Sequence, residues 1–308
     1  MFSGNLRFHG HVVQPSGLTQ RPHRCAPCEV LLKVTPKTRK AALAAFQREG
    51  ALGGDYRGFT ISGLSDLGFL KDFPDLLFLE IDGHKQRINP RHLDGLANLR
   101  GLKISTAIGG VDFSSFPELE AFWGDWHPDN RGIDKCNELR RLNISHYNPP
   151  SRDLAEFAGL IRLEDLGIVQ TNIASLAGIE PMEDLRDLLI GYAPKLASLD
   201  SLAHHDSIRE IEFETVKHIK SYEPIAKIQR LRRLMLFKCA PMSNLKWIVG
   251  MKHLDFFTFV DTNVVDGDLS PLLKLPRLRD VGTLDKKHYS HTSDELEEAL
   301  ARRGGTGS

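Results

Sequence analysis

The chain has 308 residues, with 40 lysines and arginines set against 40 aspartates and glutamates, so its formal charge is zero. Nucleic acid and anionic membranes both demand a concentrated positive field, which argues against either as the main partner. No apolar run approaches the roughly 20 residues of a membrane span. The opening MFSGNLRFHGHVVQ lacks the basic start and long apolar core of a secretion signal.

Residues 1–28 carry three prolines, scattered histidines and no apolar period, and are expected to be a poorly ordered lead-in. Cys25-Ala-Pro-Cys28, with His23 nearby, has the makings of half a zinc site or a redox pair. No second ligand pair stands at metal spacing, so reduced thiols are the plainer reading and no metal or cofactor is expected. Residues 29–55 read as an N-terminal cap. A short strand over 29–34 precedes a helix over 37–49, which carries Ala42, Leu43, Ala45 and Phe46 on one side and is stopped by Gly50.

From residue 73 to residue 283 the pattern leucine-x-x-leucine-x-leucine then returns about ten times. Its two-residue-spaced apolar pair appears as Leu79/Ile81, Leu102/Ile104, Phe122/Gly124, Leu142/Ile144 and Leu166/Ile168. It continues as Leu188/Ile190, Ile211/Phe213, Leu234/Leu236, Phe257/Phe259 and Val281/Thr283. The first members lie 23, 20, 20, 24, 22, 23, 23, 23 and 24 residues apart. Self-similarity at that period describes a solenoid, in which a unit buries its apolar edge only against its neighbours. The solenoid is placed at 56–284, with 56–61 an irregular first strand and about ten to eleven repeats in all.

A second motif follows most strands, as in Leu176-Ala-Gly-Ile179, Tyr222-Glu-Pro-Ile225 and Leu269-Ser-Pro-Leu272. Apolar residues three apart around a proline or small residue suit a short 3-10 turn running back along the outside. Cys136 and Cys239 occupy apolar slots of the repeat and read as core. Residues 285–308 close the chain. Thr292-Ser-Asp-Glu295 has capping-box spacing, a helix over 294–303 presents Leu296 and Leu300 on one side, and a flexible tail starts at Gly304.

The strand and return-turn motifs together make the chain resemble the leucine-rich-repeat superfamily. The likeness is to the short, roughly 22-residue repeats of internalin-like bacterial proteins and phosphatase-regulatory repeat proteins. The fold class implied is α/β: a curved parallel sheet on the concave face, short 3-10 or helical turns on the convex face, and helical caps at both ends. One departure is clear. Where the family usually holds asparagine, forming a hydrogen-bonded ladder, this chain has His84, Ala107, His127, Tyr147, Thr171, Ala193, Val216, Cys239 and Thr262. Coils are therefore expected to be less regular, with bulges after residues 104 and 124. The phosphate loop of nucleotide-binding immune receptors is missing, and no wall anchor or catalytic domain is recognisable. The resemblance thus implies a bare repeat domain that binds a protein.

Side chains flanking the buried strand residues should face the concave side, because alternate residues of a strand point to opposite faces. Met235, Phe237, Phe256 and Val260 then form one apolar patch, bordered by Arg233 and by the row Glu210, Glu212 and Glu214, with Leu189 two rungs away. An apolar centre with a charged rim is the anatomy of a protein interface. Trp123, Trp126, Tyr147 and Phe78 make a second, aromatic cluster. The plainer readings are that such rungs merely fill irregular coils and that the glutamates are a solvated strand face. A register slip of one residue would also turn every side chain over. Trp126-His-Pro-Asp129 also reads as a packed turn.

Among the thirteen histidines, His204-His205, His218 and His288-Tyr-Ser-His291 are the close groups, and none has zinc-site spacing. Asp266-Gly-Asp268 lacks the remaining ligands of a calcium loop. The expectation is a non-enzymatic, cytoplasmic monomer holding a protein ligand on its concave face, as an adaptor or as an inhibitor or immunity protein. The rivals are metal or redox activity in the Cys25/Cys28/His23 segment, and self-assembly through the apolar patch.

Overall fold

The computed structural model describes residues 6–8, 11–13, 31–51, 57–82, 88–105 and 108–304. Twelve strands lie in one parallel sheet in chain order, each paired with its neighbours in sequence. They are β3 (Leu31–Val34), β4 (Gly58–Ser62), β5 (Phe78–Asp82), β6 (Gly101–Ser105), β7 (Ala121–Asp125), β8 (Arg141–Ser145) and β9 (Asp165–Val169). The set is completed by β10 (Asp187–Gly191), β11 (Glu210–Glu214), β12 (Arg233–Phe237), β13 (Phe256–Thr258) and β14 (Asp280–Gly282). The lead-in, read without regular elements, contains an antiparallel hairpin of β1 (Leu6–Phe8) and β2 (His11–Val13); Cys25, Cys28 and His23 lie outside the described residues.

The apolar pairs set the register. Leu79 lies opposite Leu102, Leu166 opposite Leu188, Ile211 opposite Leu234 and Phe257 opposite Val281. Each of these side chains points into one continuous core, and neighbours about 4.8 Å away cover it from both sides. The sheet runs one rung further than expected, because Leu31–Val34 pairs in parallel with Gly58–Ser62 and so belongs to the solenoid itself.

Return segments are short 3-10 turns, such as Gly68–Asp72, Pro90–Leu93, Glu223–Lys227 and Ser270–Lys274. A polar residue opens most of them by accepting the backbone N–H two positions on: Asp66 Oδ1 from Gly68 at 2.9 Å, Asn89 Oδ1 from Arg91 at 3.1 Å, Asn244 Oδ1 from Lys246 at 2.8 Å and Asp268 Oδ1 from Ser270 at 2.9 Å. Such side chains mimic a backbone turn and satisfy a donor that the short helix leaves orphaned. The return between β9 and β10 has no 3-10 helix. There Gly178 sits at φ +108°, and a Cβ on it would meet the Leu154 carbonyl carbon at 2.4 Å.

The missing asparagine ladder has a substitute. His146, Gln170, Tyr192, Thr215, Lys238 and Asp261 all have φ between +50° and +59°, in the left-handed region. From that conformation Gln170 donates its N–H to Gly191 O at 2.9 Å, Tyr192 to Glu214 O at 2.8 Å, Thr215 to Phe237 O at 2.7 Å and Lys238 to Val260 O at 3.0 Å. Backbone pairing therefore continues one residue past the sheet. Thr262 adds a side-chain link, donating to Leu236 O at 3.0 Å and accepting from Cys239 N at 2.9 Å. Irregularity after residue 124 is real: pairing of β6 with β7 stops at Ile104 opposite Gly124, whose φ is +158°. Residues 106–107 lie outside the described residues.

One α-helix follows the first strand of the sheet and one follows the last. In α1 (Arg39–Ala51) Phe46 packs its ring 4.7 Å from Phe59 and 5.7 Å from Phe73. This helix starts two residues later than expected, where Thr35 and Thr38 exchange backbone-to-hydroxyl bonds at 3.0 and 3.2 Å, and Gly50 falls inside its last turn instead of ending it. In α2 (Ser293–Gly304) the capping box forms, with Glu295 N donating to Thr292 Oγ1 at 3.3 Å and Thr292 N to Glu295 Oε2 at 2.8 Å. Leu296 and Leu300 are buried against the last coil.

Candidate functional site: the concave sheet face

Outward residues of the strands stack into rows across the rungs. The middle row over β10 to β13 reads Leu189, Glu212, Met235, Thr258. Every one of the four is buried, Leu189 at 1% exposed, Glu212 at 2% and Met235 at 7%. Side chains this close cover one another, and this stretch of the row is dry. The expected apolar patch is accordingly corrected: Met235 and Phe237 are buried, while Phe256 and Val260 stay partly exposed. Arg233 is exposed and lays its guanidinium 4.1 Å from the centre of the Phe256 ring, with Nε 3.4 Å from Glu210 Oε2. A cation over an aromatic face gains electrostatic attraction while leaving the ring edge accessible.

Of the glutamate row only Glu210 remains partly exposed. Glu214 is buried and accepts the Tyr192 hydroxyl at 2.8 Å. That bond, then burial, raises the Tyr192 pKa above its ordinary value. A solvated glutamate face is thus replaced by a mostly enclosed one.

The aromatic cluster divides in two. Trp126 and Tyr147 belong to the core: Trp126 stacks on Phe113 at 5.9 Å and meets Tyr147 at 5.6 Å and Phe157 at 5.3 Å edge-on. Both lie just past their strands, where the chain turns inward, so strand alternation no longer applies to them. Burial, with the Glu156 carboxylate nearby, pushes the Tyr147 phenol up. Phe78 and Trp123 do remain partly exposed on the concave side. Gly101, between them, makes room for the Phe78 ring, whose Cδ1 would lie 2.6 Å from a Cβ at that position. Lys103, beside Trp123 in the register, is paired with Glu80 at 2.5 Å.

Elsewhere the polar groups have structural work. Cys136 and Cys239 are buried free thiols, each pushed up to about 12 by burial, which keeps them protonated and unreactive. His204 is exposed and His205 buried, while His288 Nε2 lies 3.0 Å from Val264 O. Asp266 and Asp268 accept backbone N–H groups from Asp268 and Ser270. Among the described residues no group of three or more His, Cys, Asp or Glu is placed to hold a metal ion, and no helix is long and apolar enough to cross a membrane.

A sequential parallel sheet, 3-10 return turns and a stacked apolar core define a leucine-rich-repeat solenoid. No protein-family profile and no curated protein matches the chain. Solved structures do. An internalin (inlF) from Listeria monocytogenes superposes with a TM-score of 0.57 at 16% identity, over 74% of this chain and 66% of that one. The PEPR1–AtPEP1 structure superposes at 0.50 with 14% identity, over 72% of this chain and 33% of that one. The chain thus spans just under two thirds of the internalin and a third of PEPR1. These likenesses establish the fold.

Proposed function

We propose that this solenoid is a protein-binding scaffold without catalysis of its own, which holds a protein ligand on its concave face. The observation that carries the reading is exposure of aromatic side chains. On a sheet face where Leu189, Met235 and Phe237 are covered, Phe78 and Trp123 at one end and Phe256, Val260 and Arg233 at the other reach solvent, among polar neighbours such as Asp82, Ser105 and Asp125. Aromatic and arginine side chains on a rigid frame are the usual anchors of interfaces, since they enter a complex with little ordering left to do. The AtPEP1 complex is a neighbouring fold named together with a second component, which agrees with this use. Within the reading the protein acts as a monomer, as a cytoplasmic bacterial adaptor or as an inhibitor or immunity protein blocking a toxin or enzyme. Affinity capture with the wild type, Trp123→Ala and Phe256→Ala tests it. The expected result is a partner held by the wild type and lost from at least one variant; partners retained by both variants would rule out this surface.

A further inference from the structure

The residue just before each strand forms a row of its own, because its backbone N–H bonds to the same residue of the preceding rung. Glu120 N bonds to Arg100 O, Arg140 N to Glu120 O and Glu164 N to Arg140 O, all at 2.8 Å. Along this stretch the signs alternate, and the side chains neutralise one another: Arg100 pairs with Glu120 at 3.6 Å and Arg140 with Glu164 at 2.7 Å. Alternation then breaks. The same ladder continues through Arg186, Arg209 and Arg232, at 2.8, 2.8 and 2.9 Å, before Asp255 restores a negative charge. Arg230, two residues before Arg232, adds a fourth guanidinium.

Three of the four, Arg186, Arg230 and Arg232, are exposed. Arg209 is held from below, its Nη1 donating to Asp206 O at 2.8 Å, to Ile208 O at 3.2 Å and to Ser207 O. Burial first, and then the charges of Arg230, Arg232 and Arg186, depress its pKa. Like charges on adjacent rungs repel, and an anion lying across this strip would relieve that repulsion. One residue along each strand the sign reverses: Asp165, Asp187 and Glu210 lie in register on three successive strands, between Arg141 and Arg233, and Arg233 reaches Glu210 at 3.4 Å. A polyanion such as nucleic acid would be repelled by that second row while being attracted by the first.

We propose that Arg186, Arg209, Arg230 and Arg232 recognise the acidic side of a two-sided charged protein segment, whose basic side meets the row of Asp165 and Asp187. This rests on the scaffold reading above and names the chemistry of its partner. The match of row to row sets where the segment lies as well as how fast it arrives.

The probe is a labelled peptide of alternating glutamate and lysine, compared with an oligothymidylate of the same length by fluorescence anisotropy on the full chain. The peptide should bind, weaken as salt rises, and bind about tenfold less well to the Arg186→Gln/Arg230→Gln/Arg232→Gln variant. Should that variant fail to fold, Arg186→Gln and Arg232→Gln singly should each weaken binding about threefold. Equal binding to variant and wild type, no peptide binding, or tighter binding of the oligothymidylate overturns the inference. In the capture experiment, a partner lost from Trp123→Ala but kept by the arginine variant overturns the charge inference alone. A partner insensitive to every concave change overturns the scaffold reading beneath it.

Discussion

Replacing Trp126 by alanine separates packing from recognition, because its neighbour in sequence space, Trp123, lies on the opposite side of the same question. Trp126 is 8% exposed and touches three aromatic rings at 5.3 to 5.9 Å. Truncating a buried aromatic costs about 3–5 kcal/mol, the transfer loss plus the cavity left behind. The ring edges of Tyr147 and Phe157 lose partners too, at roughly 0.5–1.5 kcal/mol per aromatic pair and not additively. About 4 kcal/mol is a fair total. With a urea slope of about 3 kcal/mol/M for a chain of this size, the unfolding midpoint should fall by more than about 1 M. Urea titration followed by circular dichroism reads this directly, and the three tryptophans add fluorescence, since losing Trp126 should remove the bluest emission. Trp123→Ala, by contrast, should leave the unfolding free energy within about 0.5 kcal/mol of wild type. A Trp126→Ala protein of unchanged midpoint but weakened ligand binding would refute the packing assignment.

Three further outcomes are expected. Thr215 is β-branched and held at φ +56°, so Thr215→Gly should stabilise by about 0.5–1 kcal/mol in the same titration; a loss of stability would refute the strain. Gly178→Ala should destabilise by about 2 kcal/mol or more, since φ +108° and the Leu154 carbonyl both oppose a Cβ; a thermal midpoint equal to wild type would contradict this. His205 is buried, and desolvation lowers its pKa from 6.5 despite Glu180 nearby. The unfolded chain then takes up a proton that the native state refuses, so stability should fall as pH drops below about 6.5. His205→Phe should flatten that part of the stability–pH curve, and an unchanged slope would exonerate the histidine.

Much of the fold was legible because two periods coincide. Apolar residues two apart specify which way a strand faces, and their return every 20 to 24 residues specifies what it faces. Leu79, Leu102 and Leu188 therefore landed in register as read. The concave site was legible in direction only. Alternation says that Met235 and Glu212 point outward, but not how tall Leu189 and Thr258 stand beside them, and height decides exposure. Trp126 and Tyr147 escaped for another reason: both follow a strand end, where period two stops applying. The left-handed residues were hidden altogether, since Gln170, Tyr192 and Thr215 share no chemistry that announces positive φ. The opening polar residues of the return turns were readable and overlooked. An Asp, Asn or Ser directly before the first apolar residue of the turn, as at Asp66, Asn244 and Asp268, is the signal.

Strand order that copies chain order has a mechanical meaning. No rung holds hands with any but the next, so among the described residues the two extremities are tied together by the coils in between. Fraying can begin at either terminus and advance inward one step at a time, while β9 to β11 remain intact. Amide exchange should accordingly be slowest at the middle of the ribbon and quicken toward both tips.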